Sequence, residues 1–205
     1  DNLLEVPADK DPGGFYATYA PALRQLVAGA ARLTVSTAGL ARALGGLGPP
    51  VEVIPNRIPE QLWAGPRPAR KPPFRARGLY MGTRTHDADL DMLLPAWALA
   101  RQSRPELTLA LTGISLRGDL PEGVERHDAP AAQRSYDRFV PWLKSQAPGL
   151  DFAVAPLADT AFNATKSMLK VLDCGALGLP VLASDVPVYR ALLEDGAAPP
   201  GLRLV

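Results

Sequence analysis

The chain has 205 residues, of which 47% are hydrophobic and 21% charged, and its formal net charge is +1. That length suits one domain, or one domain with part of another, and the composition excludes wholesale disorder. A charge balance near zero gives no electrostatic footprint for nucleic acid. One cysteine, Cys174, excludes an intramolecular disulfide framework and a cysteine-cluster zinc site. Two histidines, His86 and His127, argue against a histidine-rich metal site. The longest apolar stretch, Met92 to Ala100, contains Pro95 and falls well short of the roughly 20 residues a membrane span needs. No basic-then-apolar signal pattern opens the sequence, so the cytoplasm is the default expectation. The sequence starts at Asp1 and stops on the strand-like run Gly201 to Val205; we read it as a piece of a longer protein. The 22 prolines and 18 glycines fit high-GC bacterial coding and form no repeat.

Residues 1–14 hold Pro7, Pro12, Gly13 and Gly14 and read as loop. Apolar residues at helical spacing (Tyr19, Leu23, Leu26, Val27, Ala30) predict a helix from Phe15 to Ala31. Leu33 to Ser36 is a short strand. Thr37 to Leu47 is a helix with Ser36 or Thr37 as N-cap and Gly45-Gly46 as its stop. Val51 to Ile54 is a second strand, ended by Pro55-Asn56. Residues 57–77 carry five prolines and six basic side chains against the single acid Glu60, and read as an interdomain linker. Trp63 is expected to pack between domains.

A regular alternation follows. Strands are expected at Leu79 to Met81, Leu107 to Leu111, Val124 to Arg126, Asp151 to Ala155, Pro180 to Ala183 and Leu202 to Val205. Helices are expected at Asp87 to Ser103, Ala131 to Gln146, Asn163 to Leu177 and Pro187 to Glu194. Such alternation implies an α/β fold, a Rossmann-like parallel sheet with helices on both faces. In such sheets ligands bind beyond the carboxyl ends of the strands. That rule points at Gly82 to His86, Thr112 to Ser115, Arg126 to Pro130, Pro156 to Ser167 and Ser184 to Val188.

The informative stretch runs from Asp151 to Tyr189: DFAVAPLADTAFNATKSMLKVLDCGALGLPVLASDVPVY. Asn163 or Thr165 is a good N-cap for its helix. The free amides and dipole of such a helix start favour phosphate. Lys166 in a first turn is unfavourable alone and favourable beside an anion. On a continuous helix, Lys166, Lys170 and Asp173 share one face. They then offer two cations to a diphosphate and a carboxylate to a sugar hydroxyl pair. A solvated Lys–Lys–Asp stripe explains the same spacing. Cys174 reads as a small buried hydrophobe, Trp97 and Trp142 as helix core. His127 lies near the expected nucleobase pocket or simply at the surface. Ser184-Asp185 reads as a cap for the next helix.

Several segments resemble one family. Val53-Ile-Pro-Asn-Arg-Ile58 is similar to the joint between the two domains of group 1 (family 4) glycosyltransferases of the GT-B type. Pro156-Leu157, Phe162-Asn163, Lys166-Ser167, Lys170, Gly178-Leu-Pro180 and Ala183-Ser-Asp185 resemble the donor-binding core of that family, in its bacterial polysaccharide subgroup. Tyr80-Met-Gly-Thr83 with His86 is similar to its first donor-domain strand and loop, and Leu33 to Thr37 to the last part of its N-terminal domain. The resemblance implies three parts: residues 1–56, the end of an acceptor domain; 57–77, a linker; 78–205, a donor-binding domain cut short at its C-terminus. It implies transfer of a sugar from a nucleotide-diphosphate donor to an acceptor hydroxyl, in bacterial surface polysaccharide or glycoconjugate synthesis. The implied catalytic residues are Arg84 and Lys166, which neutralise the leaving diphosphate. The implied donor-binding residues are Gly82, Thr83, His86, Asn163, Thr165, Ser167, Lys170 and Asp173. The family's paired glutamate positions fall on Thr165, which carries no charge, and Asp173, which is one methylene shorter. No metal or other cofactor is expected. The acceptor, a glycan or a lipid-linked sugar, would bind through an N-terminal domain mostly outside this chain, so the piece alone is expected to be inactive. The arginine-rich linker reads first as a solvated hinge, with peripheral contact to anionic lipid as the second reading. A non-catalytic relative that binds nucleotide or glycan is the alternative. A sugar-nucleotide epimerase has no support, since neither G-x-G-x-x-G nor Tyr-x-x-x-Lys is present.

Overall fold

A computed structural model describes residues 1–66, 76–83, 86–113 and 119–205. Its elements in chain order are α1 (Phe15–Ala28), β1 (Leu33–Val35), α2 (Ala38–Leu44), β2 (Val51–Val53), α3 (Glu60–Trp63), β3 (Arg77–Met81) and α4 (Asp87–Ser103). β4 (Thr108–Thr112), β5 (Val124–Arg126), α5 (Tyr136–Gln146), β6 (Phe152–Ala155), α6 (Leu169–Ala176), β7 (Val181–Ala183), α7 (Pro187–Glu194) and β8 (Leu202–Leu204) follow. β1 and β2 pair in parallel as a two-stranded sheet. The other six strands form a second sheet in the order β5-β4-β3-β6-β7-β8, every pairing parallel. Chain order reverses between β3 and β6, the doubly wound pattern in which the crevice at the strands' carboxyl ends takes the ligand.

Alternation along β3 builds two cores. Leu79 and Met81 face one side of the sheet, with Ala153 and Ala155 of β6 and Val181 and Ala183 of β7. Leu143 of α5, Val171 and Cys174 of α6, and Tyr189 and Leu192 of α7 cover them. Tyr80 faces the other side with Leu109, Leu111 and Val154, where α4 lays Leu90, Leu94 and Trp97. Burial of side chains this size against both faces is the dominant stabilising term.

Three expected elements differ, each for a local reason. The helix expected over 163–177 is split. Thr165 Oγ1 donates back to the Phe162 carbonyl at 2.7 Å, closing a 3-10 turn over Asn163–Thr165. Lys166 is then extended, at φ −71° and ψ 165°, and α6 starts at Leu169 with Met168 as N-cap. Lys166 therefore lies outside the helix and does not share its face with Lys170 and Asp173. The helix expected over 131–146 is also split. A 3-10 turn at Ala131–Gln133 gives way to extended Ser135 before α5. Within the expected linker, α3 forms and docks on α5: Lys144 Nζ donates to the carbonyls of Leu62 and Ala64, at 3.4 and 2.9 Å. The strand β3 also starts inside that span, at Arg77. Thr37 caps α2, its Oγ1 accepting the Leu40 amide at 3.0 Å. Ser184 and Asp185 do not cap α7, whose N-cap is Val186. Ser184 Oγ accepts the Leu157 amide and Asp185 pairs with Arg190.

Candidate donor site

A cavity of about 380 Å³ opens at the carboxyl ends of β3 and β4. Met81, Gly82 and Thr83 line it from β3, and Thr112 and Gly113 from β4. Asp128 and Ala129 follow β5; Arg134, Tyr136 and Phe139 come from in front of and along α5. His86, Lys170 and Asp173 complete the wall. The two strand ends are clamped together: the Gly82 amide donates to the Thr112 carbonyl at 2.9 Å, and the Gly113 amide donates to Asp128 Oδ1 at 2.9 Å. Gly113 sits at φ +119°, and a Cβ there would run into the Gly82 carbonyl oxygen. Only glycine fits both demands.

Of the residues singled out from sequence, Gly82, Thr83, His86, Lys170 and Asp173 line this cavity. Asn163, Thr165, Lys166 and Ser167 do not. Arg84 lies outside the described residues. Asn163 is buried and donates through Nδ2 to the Ala158 carbonyl at 2.9 Å. Thr165 is buried against the N-terminal part of the chain, where its hydroxyl accepts the Asn2 amide at 3.3 Å and its carbonyl accepts from Thr37 Oγ1 at 2.9 Å. Lys166 is buried, pairs with Asp1 Oδ2 at 3.1 Å and lies 5.0 Å from the Phe162 ring centroid. Burial lowers its ammonium to about 8.

Lys170 is the anomaly in the cavity wall. Its ammonium is shielded from solvent, lies 5.1 Å from the Tyr80 ring centroid and has no hydrogen-bond partner among the described residues. Burial lowers it to about 8. A buried ammonium without an acceptor is costly, and such a group in a native structure needs a reason. One helical turn on, Asp173 is pushed up to about 6 by burial, against the opposing effect of its hydrogen bond from Tyr136. The Tyr136 hydroxyl donates to Asp173 Oδ1 at 3.0 Å and accepts the Trp63 indole N–H at 3.2 Å. Trp63 thus ties α3 to the site carboxylate.

The sequence reading missed Asp89. Its side chain is completely buried. It takes three donors: His86 Nδ1 at 2.7 Å, the Ala158 amide at 2.9 Å and Asn163 Nδ2 at 3.4 Å. Burial pushes the carboxyl up, but the His86 and Ala158 hydrogen bonds outweigh it and hold Asp89 below its ordinary value. Burial lowers His86, with Asp89 opposing. The available signal was an acid three residues past His86 in a helix's first turn, a spacing that faces the two side chains together. His127 lines no part of the cavity; it bonds Gln146 at 3.0 Å and packs on Trp142. Burial pushes Cys174 up to about 12, which leaves it a packed thiol. Among the described residues, no group of three or more His, Cys, Asp or Glu could hold a metal ion.

No family model and no curated protein matches the chain. Solved structures do. TarM superposes on 84% of this chain with a TM-score of 0.55 and 10% identity. The pneumococcal O-GlcNAc transferase GtfA, solved in complex with UDP and GlcNAc, superposes on 83% with a TM-score of 0.55 and 16% identity. Both are GT-B glycosyltransferases, and the chain has their α/β fold. It spans about a third of their length, 32% of TarM and 33% of GtfA.

Proposed function

We propose that the chain is part of a glycosyltransferase and that its cavity holds the nucleoside diphosphate of a nucleotide-sugar donor. One observation carries this reading: the buried Lys170 ammonium lines the cavity and lacks an acceptor among the described residues, which a phosphate oxygen would supply. Asp173, with Oδ1 already held by Tyr136, keeps its other oxygen for a ribose hydroxyl pair. The Gly82–Thr83 and Thr112–Gly113 turns let a ligand approach the backbone closely. Arg84 and Lys170 would stabilise charge on the departing diphosphate, the kind of preorganised electrostatics that dominates many catalytic steps. No metal ion is needed in this scheme. Lys166, off the cavity wall and paired with Asp1, would act only if that pair opened. GtfA, with the same fold, was solved with UDP, which supports a nucleotide in this crevice.

The acceptor would be a glycan or lipid-linked sugar presented by a further domain, in bacterial surface polysaccharide or glycoconjugate synthesis. The place of work would be the cytoplasm, with the basic linker against the inner membrane. Among the described residues no helix is long and apolar enough to cross a membrane. A second reading, a non-catalytic nucleotide binder, is favoured by Thr165, which stands where the family's first carboxylate is expected and is spent on structural bonds.

The test is calorimetric titration of the chain with UDP, GDP, ADP, CDP and dTDP. One of them should bind selectively, and Lys170→Met should weaken it at least about tenfold, roughly 1.4 kcal/mol. Binding unaffected by Lys170→Met, or no binding by any of the five, overturns the donor-site reading. Donor hydrolysis by the protein joined to an acceptor domain separates enzyme from binder.

A further inference from the structure

We propose that Asp89 is a positioning residue that fixes the proton of neutral His86 on Nδ1, and that a bound diphosphate brings a second proton onto His86 Nε2. This rests on the donor-site reading above.

The geometry carries the first half. Asp89 is sealed from water and its oxygens take three donors at 2.7, 2.9 and 3.4 Å. A carboxylate so satisfied stays ionised, because removing its charge would strand the donors around it. It accepts, so His86 Nδ1 must donate, and the neutral ring then carries its lone pair on Nε2. Among the described residues Nε2 has no hydrogen-bond partner, and the ring lines the cavity. The backbone locks the ring's root: the Tyr80 hydroxyl donates to the His86 carbonyl at 3.0 Å, and the His86 amide to the Thr83 carbonyl at 2.8 Å.

The surroundings carry the second half. Asp89 faces the ring from α4, Lys170 from α6 and Lys166 from the segment before it, and the Tyr80 hydroxyl of β3 holds the His86 carbonyl. Burial, Lys170 and Lys166 hold the ring below its ordinary value and so favour its neutral form. A diphosphate brings at least two negative charges against the same wall and reverses the local field. A bare Nε2 lone pair would repel its oxygens, whereas Nε2–H donates to them. The proton comes from water as the ligand enters: one water O–H bond breaks as the Nε2–H bond forms, and the hydroxide left is neutralised by the buffer. Asp89 makes this possible, because its fixed negative charge already compensates an imidazolium.

Nitrogen-15 NMR of histidine-labelled protein reads this directly. The chain has two histidines, and His127→Gln leaves the His86 ring alone in the spectrum. In the free chain at pH 7.5 the expected spectrum shows a protonated Nδ1 and a bare Nε2. At saturation with the bound member of UDP, GDP, ADP, CDP and dTDP, and with inorganic pyrophosphate as the base-free arm, both nitrogens should be protonated. Asp89→Asn should abolish the single tautomer and the second protonation. A free ring protonated on Nε2 overturns the proposal without any variant. So does a saturated ring that keeps Nε2 bare while calorimetry shows binding; that outcome leaves the donor-site reading standing. Absence of binding by every probe overturns both.

Discussion

The two sheets of this chain are built from the same kind of segment and differ in what covers them. β1 and β2 are short and apolar, and of their six residues only Val35 is buried. α1 has an apolar stripe at helical spacing, yet Leu26 is 72% exposed and Phe15 60%. In the six-stranded sheet every residue of β3 beyond Arg77 is buried, and helices lie on both faces. Local pattern thus sets the element, and packing sets what the element contributes. A periodic stripe is evidence of a helix and not of a core.

The largest expected contrast is in stability. Leu90→Ala, at a fully buried position on α4, should cost about 2–5 kcal/mol. Leu26→Ala on α1 should stay within about 0.5 kcal/mol. Chemical denaturation measures both, and equal costs would break the contrast. Next, Lys170→Met should raise stability by about 1–3 kcal/mol, because it removes an unpaired buried ammonium, while weakening nucleoside diphosphate binding. A loss of both would mean that the lysine serves the fold.

The pH dependence of stability should have two arms. Burial holds Asp173 at about 6 in the fold, above its ordinary value of 3.8. Between those values the folded chain keeps a proton that the unfolded chain has released, so stability falls as pH rises through them. Lys166 and Lys170 sit at about 8 against 10.5. There the folded chain has lost protons that the unfolded chain keeps, so stability rises as pH climbs from about 8 toward 10.5. Denaturation midpoints across pH test both arms. Asp173→Asn should flatten the lower one and Lys170→Met should reduce the upper. The smallest effect is expected at the α3 contact. Trp63→Phe deletes one exposed hydrogen bond, at about 0.5–1 kcal/mol or less, and should show mainly as faster amide exchange in α3. Unchanged exchange would mean that the Lys144 contacts alone dock α3.

Most strands and the helices α4 and α7 were legible, because their apolar spacing and boundary residues agree with the packed result. The two split helices were not. Thr165 and the extended Ser135 lie at the breaks, and a hydroxyl that back-bonds a nearby carbonyl, as Thr165 does, is invisible to a periodicity count. The cavity was half legible. Gly82, Thr83 and His86 were named from their place after a strand, Lys170 and Asp173 from spacing. Asp89 was hidden, because an acid in a helix's first turn reads as an ordinary partner of the dipole. Tyr136 falls within the helix expected over 131–146 and carries no local signal of a site role. Its role depends on a hydrogen bond to Asp173, 37 residues away, which no local pattern encodes.

The strand order also governs when the parts of this site can come together. β3 pairs with β4 at Gly78↔Leu109 and with β6 at Gly78↔Phe152. Closing the longer of these loops costs roughly 0.8 kcal/mol more chain entropy than closing the shorter. On a ribosome β4 emerges first and β6 well after it. The Gly82–Thr112 clamp can therefore be made while the cation and carboxylate of α6 are still unsynthesised. The α6 wall of the cavity then arrives as a late addition to a finished half, and until then the apolar edge of β3 stands open, waiting for β6.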